Sequence, residues 1–117
     1  PVPVLGTFSE HRATHYSTTA AGRITYLGMQ DHRTTISASL SAKTASGSDK
    51  DITIYVALNG SIIANSAISN NAKLATKNNT VMIWKEVMTT NDYIEIWVEN
   101  NDDTINILVE DINFVAS

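Results

Sequence analysis

Three histidines and twelve acidic residues are the side chains of this 117-residue chain with the most direct chemical uses. His11 and His15 stand four positions apart, which on a helix sets both imidazoles on one face. Joined by His32, they would make a three-nitrogen zinc site. The surrounding residues do not read as helix and no Glu follows His11, so loop histidines without a metal are the expectation. Asp49-Lys50-Asp51 and Asn100-Asn101-Asp102-Asp103 carry oxygens suited to calcium. Neither has the ordered spacing of a dedicated calcium loop. Solvated turns and no cofactor are therefore expected, with a structural cation as the sharper alternative. Ser, His and Asp are all present, but no strand-turn-helix nucleophile elbow or glycine-rich phosphate loop surrounds them. Glu95 and Glu99 share a strand face without a visible cleft. The residues do not read as an enzyme.

The elements that must hold these groups are strands. The sequence contains 13 Ile, 8 Val and 14 Thr, against 6 Leu and 5 Glu. β-Branched side chains fit a pleated surface and lose freedom in a helix. Eleven Ser and eleven Asn supply turns, where their side chains replace backbone hydrogen bonds. With no Cys, disulfides, thiolate metal sites and a Cys nucleophile are excluded. No apolar run is long enough to span a bilayer, so membrane insertion is not expected. The net charge of −4 argues against nucleic acid as a partner. That charge is uneven. Residues 86–111 carry eight acids and no Lys or Arg, which reads first as a solvated acidic face.

Along the chain, residues 1–22 are irregular, an N-terminal segment or stalk connection. The whole of 1–117 reads as one domain. In 34–42, Ile36, Ala38, Leu40 and Ala42 alternate with Thr35, Ser37, Ser39 and Ser41, the pattern of a half-buried strand. In 51–58, Ile52, Ile54, Val56 and Leu58 share one face, with Thr53, Tyr55 and Ala57 on the other. Asn59-Gly60 follows and predicts a type I′ hairpin turn, with 61–67 as the returning strand. Ser69-Asn70-Asn71 then reads as a break. Residues 80–88 are apolar on both faces, and Asn91-Asp92 closes a tight turn through the Asp92 carboxylate. Residues 93–99 place Ile94, Ile96 and Val98 inward. A last extended stretch over 104–116 bends near Glu110-Asp111. Seven to nine short strands at this spacing predict an antiparallel sandwich or barrel.

Tyr55, Tyr93, Trp97 and Phe114 fall on outward faces by this reading, and large aromatics there mark an interface. Self-association through Tyr55, Tyr93, Glu95, Trp97 and Phe114 is expected. Glu95 and Glu99 accompany Trp97, so Arg23 or Arg33, from a neighbouring strand or subunit, is expected to compensate their charge, with a bound cation as the other solution.

The run from Val87 to Asn100, with Asn91-Asp92-Tyr93-Ile94-Glu95 at its centre, resembles the same stretch in tumour-necrosis-factor-like jelly rolls. These share their fold with complement-type globular heads and with trimeric heads of phage tail fibres and capsid appendages. The residues 36–42 and 52–60 are similar to the central strands of such heads. The resemblance spans residues 23–117 and implies an all-β, antiparallel jelly-roll sandwich of eight to ten strands, assembled as a homotrimer.

The expectation is a head domain of a viral or phage structural protein, at a fibre tip or capsid surface. It would be located on the virion surface, or otherwise be extracellular. The chain starts at Pro1 with no signal-peptide pattern, which reads as a module of a longer polypeptide. Its partners would be itself and a host-surface glycan, a host protein or the capsid. The alternatives are a carbohydrate-binding module, whose aromatics stack on sugars, and a purely structural decoration protein.

Overall fold

Among the described residues the chain forms ten strands, and the inward faces of the longer, alternating ones meet in one core. The computed structural model describes residues 2–3, 16–17, 22–44, 48–74, 78–103 and 107–116. The strands are β1 (Val2–Pro3), β2 (Tyr16–Ser17), β3 (Arg23–Tyr26), β4 (His32–Thr44) and β5 (Lys50–Leu58). They continue with β6 (Ser61–Ile62), β7 (Ile68–Ala72), β8 (Asn78–Met88), β9 (Tyr93–Asn100) and β10 (Ile107–Ala116).

The larger sheet has the order β2-β3-β9-β5-β6, with β1 beside β3 on the edge of β9 and β7 beside β6 on the edge of β5. The smaller sheet is β10-β4-β8. Every strand pair is antiparallel. The chain changes sheet between β3 and β4, β4 and β5, β7 and β8, β8 and β9, and β9 and β10. The result is the all-β, jelly-roll-like sandwich that the strand spacing predicts. The only helical element among the described residues is a 3-10 turn, Ala64–Ser66.

Ile36, Ile52, Ile54, Val56, Ile94, Ile96 and Met88 are fully buried between the sheets. Each contributes about 2–3 kcal/mol through removal of apolar surface from water. The alternation read in 34–42 and 51–58 holds, with Ile36, Ala38, Leu40, Ala42, Ile52, Ile54 and Val56 buried. The hairpin turn is also as expected: Asn59 and Gly60 have φ of 52° and 84°, both in the left-handed region that a type I′ turn requires.

Three local expectations are corrected. The strand expected over 61–67 is only Ser61–Ile62, followed by the 3-10 turn. The Ser66 hydroxyl explains this, since it accepts the Val56 N–H at 2.8 Å and donates to the Ile63 carbonyl at 2.7 Å. A side chain thus satisfies the backbone of β5 where a paired strand would have done so.

Ser69-Asn70-Asn71 is not a break but the middle of β7. The Asn70 amide donates to the Asn79 carbonyl at 3.1 Å and also to Thr80 Oγ1, which links β7 to the smaller sheet.

The third correction concerns Phe114. The pairing of β10 with β4 slips between Val109 and Asp111. Before the slip, Ile107 and Val109 lie opposite Thr44 and Ala42; after it, Ile112 and Phe114 lie opposite Leu40 and Ala38. The bulge changes which parity faces inward. Phe114 is therefore a core residue, 8% exposed, and Val115 is the outward one at 50%.

Candidate functional site

The outer face of the larger sheet brings together most of the side chains that the sequence nominates. Cross-strand register sets them in rows. Tyr93 lies opposite Thr25, and Glu95 lies between Arg23 and Ala57. Trp97 lies between Pro3 and Tyr55, and Glu99 lies opposite Thr53.

Glu95 points outward yet is only 4% exposed. Its carboxylate meets the Arg23 guanidinium at 3.5 Å and accepts the Trp97 indole N–H at 3.3 Å. The Arg23 guanidinium carbon lies 3.8 Å from the Tyr93 ring centroid, a cation–π contact. The compensating arginine is thus Arg23, on the neighbouring strand. Arg33 belongs to β4 in the other sheet.

Tyr55 and Trp97 are direct cross-strand partners and are both half-buried. The Tyr55 hydroxyl donates to Glu99 Oε1 at 3.0 Å. Burial of the phenol, and after it the hydrogen bond and charge of Glu99, raises the Tyr55 pKa above the usual tyrosine range. The expected cluster of Tyr55, Trp97 and Phe114 is therefore only partly assembled. The first two meet here, and Phe114 is in the core of the opposite sheet.

The outer face of the smaller sheet is chemically different. β8 exposes Val81, Ile83 and Val87 at 64, 67 and 48%, and β10 exposes Val115. Ile83 and Val115 both lie opposite Ser37, one on each side of β4. The two-faced apolar pattern of 80–88 signals this row, which the search for aromatics passes over. β8 pairs with β4 along one edge, and no strand lies along its other edge among the described residues.

At one end of the sandwich two turns interlock. The Asp92 carboxylate accepts the Thr89 N–H at 2.9 Å, as the turn reading expects, and also accepts the Asn59 amide at 2.9 Å. The Asn59 hydrogen bond first, and then the backbone bond from Thr89, lower the Asp92 pKa below the usual carboxylate range. Asn91 has a φ of 73°, which suits an asparagine at this turn.

At the opposite ends of β5 and β9, the two acidic turns meet. The Asp51 N–H donates to Asp102 Oδ2 at 2.8 Å, and Lys50 pairs with Asp103 at 2.6 Å. Among the described residues no group of three His, Asp or Glu is placed to hold a metal ion. His11 and His15 lie outside the described residues. His32 is exposed at the start of β4, with its ring stacked near Tyr26 at 6.1 Å.

No family model matches the chain, and no curated protein sequence matches it. Among solved structures, a Podospora anserina β-(1,4)-mannanase described as GH26-CBM35 superposes with a TM-score of 0.44 at 12% identity. The superposition covers 98% of this chain and 26% of that one. Likeness at this level carries no argument about function.

Proposed function

We propose that the chain is a non-catalytic, self-associating head domain, a homotrimer of jelly-roll sandwiches acting in attachment or as a component of a particle surface. The supporting observation is the exposed aliphatic pair Val81 and Ile83, with Val87 beyond Lys85 on the same face of β8 and Val115 across β4. Isolated apolar side chains are normal on a surface, but a cluster of them on one sheet face marks a contact surface. Among the described residues no strand pairs with the outer edge of β8, which adds a ladder of backbone groups. Fully burying such a side chain contributes about 1.5–3 kcal/mol, so these three with Val115 account for a few kcal/mol beyond their present burial. Association costs on the order of 4–15 kcal/mol, so one such contact is weak and a closed ring of contacts is needed.

Geometry favours one pair of surfaces for that ring. The outer faces of the two sheets point in opposite directions and would stack protomers in an open file. The outer face of the smaller sheet and the edge of β8 are roughly perpendicular, and such inclined surfaces close a ring. The number three, and the setting on a viral or phage fibre tip or capsid, are supported by the resemblance of 23–117 to trimeric heads.

Light scattering tests the reading. The expected mass is three times the 12.7 kDa chain. A mass of one chain at all accessible concentrations overturns it. Ile83→Lys is expected to dissociate the assembly. Dissociation by Trp97→Ala with Ile83→Lys silent instead moves the contact to the Tyr55–Trp97 face.

A further inference from the structure

At the end of the sandwich where β3 turns into β4, a hollow of about 630 Å³ is lined by Tyr16, Tyr26, Leu27, Met29, Asp31 and His32, among others. Tyr26 is buried, and its ring has Tyr16 at 5.5 Å and His32 at 6.1 Å. The phenol groups are already engaged. Tyr16 shares a hydrogen bond with Thr34 at 3.1 Å, and Tyr26 donates to the Gln30 carbonyl at 2.6 Å. Tyr26 is only 5% exposed between its two neighbours, so the ring surface left for a ligand is that of half-buried Tyr16 and exposed His32. Gln30, Asp31 and His32 add exposed polar heads, while Leu27 and Met29 add exposed apolar ones at 49 and 96%.

The loop that carries these groups is fixed in place. The Gly28 carbonyl accepts the Thr90 hydroxyl, and a Cβ on Gly28 would lie 2.0 Å from the Tyr26 hydroxyl oxygen. The Tyr26 backbone is bonded to Asp92 and Asn91 at 2.8 and 2.7 Å. The turn that lines the hollow is thus tied to the β8–β9 turn, and it carries Met29 almost wholly in water. Such a cavity, mostly apolar with a few placed polar groups, is the usual form of a small-ligand site.

We propose that this hollow receives a neutral pyranose ring of a glycan. A pyranose has an apolar C–H face suited to aromatic rings and a rim of hydroxyls suited to a carboxylate, an amide and an imidazole. This lining offers all of these together. Asp31 and the net charge of −4 disfavour acidic sugars. A single ring of this size binds with a Kd on the order of 1 mM, so useful attachment requires several copies acting together. The inference rests on the reading of the chain as a binding head and does not depend on its oligomeric state.

Amide-shift mapping by NMR with the methyl glycosides of glucose, galactose, mannose and N-acetylglucosamine tests it, with indole as a comparison probe. The expected result is saturable shifts over residues 27–33 with at least one glycoside, weakened about tenfold or more in His32→Ala and Asp31→Ala. Both side chains are exposed, and an unchanged melting temperature verifies that the variants fold. No saturable shift with any glycoside overturns the proposal. So do shifts confined to Tyr55 and Trp97 that His32→Ala leaves unaltered. Saturation by indole alone replaces the glycan with an aromatic side chain of a protein partner, and also overturns it. Light scattering on the same samples separates the two readings. A silent hollow in a trimer sinks only the glycan site, and glycoside binding by a monomer sinks only the assembly.

Discussion

Asn59 and Asp92, 33 residues apart in sequence, are joined side chain to side chain at 2.9 Å. The same asparagine accepts the Tyr93 N–H through Oδ1 at 2.9 Å and donates its own N–H to the Tyr93 carbonyl at 2.9 Å. The β5–β6 hairpin turn and the turn that carries the chain from β8 to β9 are thus one knot. The Asp92 carboxylate, lowered by these hydrogen bonds, contributes stability that is present above the unfolded value of about 3.9 and is lost as pH falls through the folded value. Asp92→Asn is expected to lower the melting temperature at neutral pH and to flatten its decline below about pH 4. Parallel acid profiles for the two proteins would refute the role given to Asp92.

Two glycines should differ in their tolerance of a methyl group. Gly60→Ala forces an alanine to a φ of 84°, at a cost of about 1 kcal/mol. Its new Cβ would meet only the Tyr93 hydroxyl, at 3.4 Å. Gly28→Ala must displace the buried Tyr26 ring and is expected to cost about 2–3 kcal/mol. Urea denaturation of the two variants gives the ranking, and a smaller loss for Gly28→Ala contradicts it.

Glu95 is a buried charge held by Arg23 and by the Trp97 indole N–H. Removing the partner of a fully buried ion pair costs about 3–5 kcal/mol, but Arg23 is itself 37% exposed and solvent screens part of that. Arg23→Ala is expected to cost about 1–2 kcal/mol, including the lost contact with Tyr93. Glu95→Gln in the Arg23→Ala background should recover part of it. Additive effects in the double-mutant cycle would show that the pair is not coupled.

Tyr55 should ionise late. Its folded pKa is raised, so it contributes stability below the ordinary tyrosine value and loses it as pH rises through the folded value. Glu99→Gln removes the charge but leaves the burial. Ultraviolet titration should show the Tyr55 midpoint moving down toward, but not reaching, that of a free tyrosine. An unmoved midpoint assigns the whole effect to burial.

Much of this architecture was legible in particular residues. Strict alternation in β4 and β5 reveals both the strand and its inward face, because one slip would expose every Ile. Asn59-Gly60 reveals its turn because few residues accept positive φ in succession. The irregularity expected near Glu110-Asp111 is the bulge, but its change of parity was not legible, so Phe114 was assigned to the wrong face. β7 was hidden because Asn70 and Asn71 look like turn residues until their amides find partners across the fold. The hollow at the end of the sandwich was illegible for a related reason. Tyr16, Tyr26 and His32 share no periodic spacing, and only the β2–β3 pairing and the turn into β4 bring their rings together. The aliphatic row on β8 could have been found, since its strand is apolar on both faces.

The bulge in β10 makes the strand a message read in two frames. Upstream of position 110 the odd-numbered residues are the inward letters, and downstream the even-numbered ones are. Deleting the bulged residue merges the two frames into one, with Ile112 and Phe114 still opposite Leu40 and Ala38. Deleting a paired residue such as Asn113 is different, because it turns Phe114 toward water and Val115 toward the core. The strand should therefore tolerate a single-residue deletion at the bulge far better than one a few positions further on.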